Sequence, residues 1–353
     1  MENQNKNNAI NTCKKIAEYL LKIHENNLSE KYLNNKNKSL LIISLLFFKL
    51  SDLFSSRTYK KIAEKAIALI AENYDTPKNI EQLVLQGLIV MALIRDLYCE
   101  GDEDEILEDI DLYIFDFTNK VLANKQNVSF REISLILIYY SYRLEKTSIC
   151  QDDKQIMIMV YKELLNYLYW TITNNSIAIK EVENSLFYHF FSDSILLIGA
   201  LSKLIQKNED NAKEKRILKM VLQQIILTNP ELEINKIQRY VVISLTNKII
   251  KSRIINEYLN SLDNSIDIQK TIDSFDYELT NNSCHGAVSQ LLLTCMFLKC
   301  VNKYELYNNQ IAESLKIIDY IISKFLVQNE NPELIKNLAQ TEFLFVILIK
   351  FIL

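Results

Sequence analysis

Glycine, proline and histidine are nearly missing from this chain: 4 Gly, 3 Pro and 3 His in 353 residues. Turns and strand edges draw heavily on Gly and Pro, so neither a mostly-β nor a doubly wound fold is expected. No Pro/Gly/Ser-rich stretch divides the sequence, which makes one domain over residues 1–353 the expectation. A charge of one sign is missing too. Forty basic residues stand against 44 acidic ones, a net charge of -4, so no strong field draws the chain to nucleic acid. The cluster Lys213, Lys215, Arg216 and Lys219 reads as a solvated helix face. Long apolar runs are also lacking. Ser39–Leu50 and Glu342–Leu353 are too short to span a bilayer and carry Lys49 and Lys350, so no stable membrane insertion is expected.

The opening MENQNKNNAI has no basic flank followed by an apolar core, so no secretory signal is expected. Cys13, Cys99, Cys150, Cys284, Cys295 and Cys300 form no dense spaced framework, which implies reduced thiols and a cytoplasmic setting. The common catalytic signatures are absent: no glycine-rich phosphate loop, no GxSxG, no HExxH and no Cys-x-x-Cys. Asp102-Glu103-Asp104-Glu105 suits the positive end of a following helix. Asp109 and Asp111 read as part of a solvated outer helix. His24 is expected at an exposed helix end, with no role.

What the chain does have is helical periodicity. Leu40, Leu41, Ile43, Phe47 and Phe48 belong to a segment apolar nearly all round. Tyr59, Ile62, Ala63, Ala66, Ile67 and Ile70 form a stripe at 3–4 spacing among lysines and Glu64. An inner buried helix followed by an outer amphipathic one accounts for that contrast. The couplet recurs as Gln82–Tyr98 with Glu105–Val121, and as Ile133–Tyr142 with Lys154–Trp170. It returns as Leu186–Ile205 with Lys215–Leu227, and as Ile237–Ile250 with Ile254–Leu262, the last extendable by Ile266–Phe275. Gly286–Cys300 with Tyr307–Leu326 follows, and then a lone apolar run, Leu338–Leu353. Couplets start roughly every 45–55 residues, the range of repeat architectures. Asn-rich joins at Asn34–Lys38, Asn124–Val128, Asn174–Ile179 and Asn281–Ser283 read as turns.

An open solenoid needs capping repeats with a polar outer face. Here the final run, Phe343–Ile349, is the least polar of all and would be left exposed in an open array. The expectation is an all-α protein of about fourteen helices, closed as a double-layered α/α toroid of about seven helix pairs.

Within that pattern one short motif carries chemistry. Cys284-His285-Gly286 opens an apolar helical run, and a thiolate next to an imidazole offers two ligands to one metal ion. Taken with the couplets, Ser283-Cys284-His285-Gly286-Ala287 resembles the lanthionine synthetase C-like cyclase family. Asn184-Ser185-Leu186-Phe187-Tyr188-His189 is similar to a family segment in which an Asn precedes a His by five residues. Gln86-Gly87-Leu88 resembles the family's inner-helix openings. The resemblance implies an α/α toroid carrying Zn²⁺, with Cys284 and His285 as metal ligands and His189 as proton donor. It also implies a precursor peptide as substrate and a dehydratase as a possible partner. In the family the zinc binds a peptide cysteine as thiolate, which adds to a dehydroamino acid and closes a thioether ring. A bound divalent cation lowers a thiol's pKa, which is the physical basis of that step.

The sequence also departs from the family. The stretch where a first zinc cysteine should lie reads Asn235-Lys236-Ile237-Gln238-Arg239-Tyr240, with Gln238 at the place of the sulfur. Two of three ligands survive. Cys295 is a poor substitute, because on one helix it lies roughly 16 Å from Cys284; Cys300 lies on the same run and is no better. His189 is the other candidate. The family's acid at the third inner helix falls at Ser129 or Glu132. Phe190 and Phe191 replace expected glycines and add bulk where a backbone would approach a ligand. These departures point to a degenerate, weakly active or inactive member. The alternative is a non-catalytic helical-repeat scaffold or peptide-binding module.

Overall fold

The computed structural model describes residues 2–27, 37–72, 80–95, 103–124, 130–145, 151–174, 193–207, 211–227, 230, 233–267, 284–327 and 345–346. Among them the protein is all-helical. The described residues form thirteen helices of thirteen residues or more and no strand. These are α1 (Glu2–Asn27), α2 (Asn37–Phe54), α3 (Arg57–Glu72), α4 (Ile80–Arg95), α5 (Glu103–Asn124), α6 (Phe130–Arg143) and α7 (Gln151–Thr173). They continue with α8 (Asp193–Lys207), α9 (Ala212–Ile226), α10 (Glu233–Ile250), α11 (Arg253–Ser265), α12 (Cys284–Cys300) and α13 (Tyr304–Val327). The expected couplets α2–α3, α4–α5, α6–α7, α10–α11 and α12–α13 all form, with bounds that differ from the expected ones by a few residues. In the fourth couplet only α8 from Asp193 onward, and α9, fall within the described residues.

The helices gather into two compact units, a terminal one (Met1–Asp75 with Asp267–Leu353) and a central one (Thr76–Ile266). In the central unit each couplet packs internally, α4 on α5, α6 on α7, α8 on α9 and α10 on α11. Beyond that, α4, α6, α8 and α10 pack side by side in one row, while α5, α7 and α9 form a second. The alternation of nearly all-apolar and amphipathic helices has this cause: one row is covered by the other, and the second is half solvated. Arg131, in the first turn of α6, reaches Glu81 in the first turn of α4 at 2.8 Å and Asp193 at the start of α8 at 3.9 Å. Three helices of the row therefore begin at the same end.

Gly87 is not at a helix opening, as the resemblance implied, but in the middle of α4. A Cβ there would lie 2.4 Å from Tyr139 Cε2 and 3.2 Å from Ile110 Cγ2, so the missing side chain is the space the tyrosine ring fills. The extension of α11 through Ile266 is also not seen. Ile266 is extended, with φ -88° and ψ 113°, and ends the helix.

In the terminal unit, α2 pairs with α3 and α12 with α13, and α1 packs against α13 and touches α3. Helix α1 thus lies on α13, and Lys15 Nζ meets Asp319 Oδ2 at 2.7 Å. Helix α1 buries Cys13, Ile16, Ala17, Leu20 and Ile23, a stripe at 3–4 spacing inside a strongly polar sequence. His24 continues that stripe. It is fully buried, its ring edge-on to Phe47 of α2 at 5.7 Å and 87°, which corrects the expectation of an exposed end. The apolar pattern of α1 is too narrow to stand out among Asn and Lys; only packing reveals it.

A chain this poor in glycine must still end its helices. α2, α10 and α12 each do so on a left-handed residue that is not glycine: Ser55 (φ 51°), Lys251 (φ 48°) and Asn302 (φ 60°). After α2, Ser56 N–H donates to Ser51 O at 3.2 Å; after α12, Lys303 N–H donates to Leu298 O at 2.9 Å. Both satisfy helix-end carbonyls that a following glycine usually serves.

Candidate functional site

Helix α12 opens on Cys284 and His285, so the motif stands at a helix start as its sequence implied. The side chains of both lie outside the described residues, as does all of His189. The same holds for Asn184–Phe191 and Ser129. Of Leu338–Leu353, only helical Phe345 and Val346 are described, both buried. Among the described residues no group of three or more His, Cys, Asp or Glu comes together as a metal site.

Of the residues that bear on a third ligand, Gln238, Cys295 and Cys300 are described. Gln238 lies on α10 of the central unit and is only 4% exposed. It presents an amide where the resemblance puts a thiolate. Cys295, farther along α12, is fully buried, and burial pushes its thiol up to about 12. Cys13 on α1 is raised to about 12 for the same reason. A thiol held neutral by an apolar surround is a poor metal ligand and a poor nucleophile. Cys300, at the end of α12, is half-buried.

Two polar clusters that sequence reasoning missed sit in the central unit. In the first, Asp111 of α5 accepts a hydrogen bond from Tyr139 Oη at 2.6 Å and pairs with Arg143 Nε at 2.9 Å. Arg143 is 2% exposed. Burial, then the Asp111 charge, holds the Tyr139 phenol well above its usual range, so it stays a proton donor to the carboxylate. Neighbouring Tyr140 is raised to about 12, chiefly by burial. Asp111 is therefore not a solvated surface acid but the key between α5 and α6. The signal was present in Ile138-Tyr139-Tyr140-Ser141-Tyr142-Arg143: an arginine on the face of an apolar helix needs a countercharge, though nothing local says which acid supplies it. The cluster fixes charge and proton positions, and no group in it is poised as a nucleophile or base.

The second cluster is Glu81–Arg131–Asp193 at the starting end of α4, α6 and α8. Arg131 donates from both Nε and Nη2 to Glu81 Oε1, at 3.2 and 2.8 Å. Carboxylates in the first turns of α4 and α8 also meet the positive ends of those helices. Glu132, the described candidate for the third-helix acid, is next in sequence and half-buried. Elsewhere in this unit buried Arg239 donates to Ile225 O at 3.0 Å and Tyr258 Oη at 3.1 Å, tying α10 to α9 and α11.

No family model, curated protein or solved structure matches the chain.

Proposed function

We propose that this chain is a divergent lanthionine synthetase C-like protein, a single double-layered toroid of about seven helix pairs that binds a ribosomally made precursor peptide without closing its rings efficiently. The carrying observation is that α12, the partner of amphipathic α13, opens on Cys284-His285-Gly286. Two features of the fold support the toroid: the paired rows of the central unit, and the packing of α1 against α13 in the terminal unit. The unbridged, buried thiols Cys13 and Cys295 support a cytoplasmic location. Among the described residues, no helix is long and apolar enough to cross a membrane.

The donor set argues against full catalytic power. A catalytic zinc takes three protein ligands and keeps one open position for the nucleophile. This sequence offers Cys284 and His285, with an amide at Gln238 and His189 as the other candidate. An amide oxygen is a much weaker zinc donor than a thiolate, so the residues do not fit the family's site. No cyclisation step is therefore assigned to the metal. The groups expected to survive are a Cys–His pair that touches a peptide thiol or loosely held Zn²⁺, and His189 as a proton donor.

Metal content and activity test this together. The purified protein is expected to carry well under one zinc per chain. It should bind a dehydrated, cysteine-containing peptide, and leave its thioether formation near the uncatalysed rate. One zinc per chain, lost in Cys284→Ala together with fast ring closure, would make it a working cyclase. No peptide binding and no metal would favour the second reading, a helical scaffold, for which the substitution at Gln238 is the specific support.

A further inference from the structure

The second row of the central unit, α5–α7–α9, has a surface whose charges are ordered. Exposed Glu108, Asp109 and Asp116 make α5 acidic, against one exposed base, Lys120. Exposed Lys213, Lys215, Arg216 and Lys219 make α9 basic, while its Glu214 is buried and accepts a hydrogen bond from Tyr161 of α7. Between them, α7 exposes Ile156, Met159 and Trp170, and Met159 is 67% exposed. A half-solvated helix normally carries polar groups on that face, so three large apolar side chains along it mark a contact surface.

The order of the charges selects the occupant. A basic ligand spread over this wall would meet a repelling α9, and an acidic one a repelling α5. A second copy avoids both conflicts. A two-fold axis along α7 lays the α5 of each copy on the α9 of the other and brings the two α7 faces together. Glu163 lies on the same face, and Lys162 beside it offers the countercharge across the axis. We infer that the α5–α7–α9 wall is a homodimer interface, with an apolar seam on α7 and reciprocal acid–base contacts on either side. This inference does not depend on the peptide-binding reading.

Sedimentation equilibrium over a range of protein and salt concentrations tests it. The wild-type chain should shift from 41.3 kDa to twice that mass as concentration rises. Its dimer dissociation constant should rise about tenfold or more in high salt, because exposed pairs are screened. Met159→Glu, at a solvent-facing position, should be monomeric throughout with an unchanged circular dichroism spectrum. The triple change Glu108→Lys, Asp109→Lys, Asp116→Lys should weaken the dimer, and so should Lys215→Glu, Arg216→Glu, Lys219→Glu. Mixing the two charge-reversed proteins should restore a dimer. A wild-type chain that stays monomeric, a dimer indifferent to Met159→Glu, or a charge-reversed mixture that fails to associate would each overturn the proposal. So would a monomer whose α5 and α7 bind a basic amphipathic peptide, because the wall would then belong to a foreign partner.

Discussion

The central and terminal units solve the same packing problem with different chemistry. The central unit keys its helices together with buried polar contacts: Asp111 with Arg143 and Tyr139, Arg239 with Tyr258, and Ser202 with Thr246 across α8 and α10 at 2.9 Å. In the terminal unit, made from both ends of the sequence, α1 contributes an apolar stripe with a neutral thiol, Cys13, and α12 contributes Cys295. The pair that links α1 and α13 joins exposed Lys15 to half-buried Asp319. The contrast separates two jobs. Apolar burial supplies most of the driving force in both units, whereas buried polar keys fix which face of a repeated helix meets which neighbour. A run of similar couplets has more wrong registers available, and the keys stand where those couplets stack.

The sharpest way to break the comparison is Asp111→Ala. It strands the Arg143 charge and the Tyr139 hydroxyl in the interior and should cost about 3–5 kcal/mol. Urea unfolding followed by hydrogen exchange should show that loss in α5 and α6, with the amides of α1 and α13 little changed. Equal loss in both units would mean that they unfold as one body.

Alkaline titration should separate the units next. The native terminal unit keeps protons on Cys13 and Cys295 up to about 12, whereas an ordinary thiol releases them near 9.0. Unfolding therefore becomes more favourable as the released thiols ionise, so stability is full below pH 9.0 and falls between there and about 12. In the central unit the described raised groups are phenols, and Tyr140 starts from 10.0. The terminal unit should thus begin to weaken about one pH unit earlier. At pH 8, Cys13 and Cys295 should resist a thiol reagent until the unit opens.

The glycines supply a smaller, two-sided test within the central unit. Gly87→Ala drives a methyl into the Tyr139 ring and should cost about 1–3 kcal/mol. Gly199→Ala, in α8, meets nothing within 4 Å and should instead stabilise by up to about 1 kcal/mol, because alanine favours the helix. Calorimetry of the two variants checks the sign. Least of all, Lys15→Ala should shift the melting temperature only slightly, because an ion pair whose lysine is exposed contributes little.

The couplets were legible because each amphipathic helix writes its buried face into the sequence at 3–4 spacing, and the near absence of Gly and Pro left no competing pattern. Helix α1 was hidden by its own polarity, and His24 with it, since five small or aliphatic side chains among Asn and Lys do not announce a buried face. Asp111 reads as solvated because periodicity places it on an outer helix, while its partner lies 32 positions away on another. Long-range pairing of that kind follows from the stacking of couplets, which no single helix encodes. At the candidate site, the helix start at Cys284 was legible from the apolar run that follows it. A third ligand is expected only from the resemblance, which stops at Gln238.

The toroid proposed for this chain needs α1 to lie along α13. Zero-length carbodiimide coupling of the monomer tests that contact directly, since it joins only a lysine and a carboxylate already in contact. Peptide mass spectrometry should find Lys15 joined to Asp319, alongside Lys203 joined to Glu145 as an internal control at 3.5 Å in the central unit. Recovery of the control without any Lys15–Asp319 product would contradict the packing of α1 on α13, and the toroid with it.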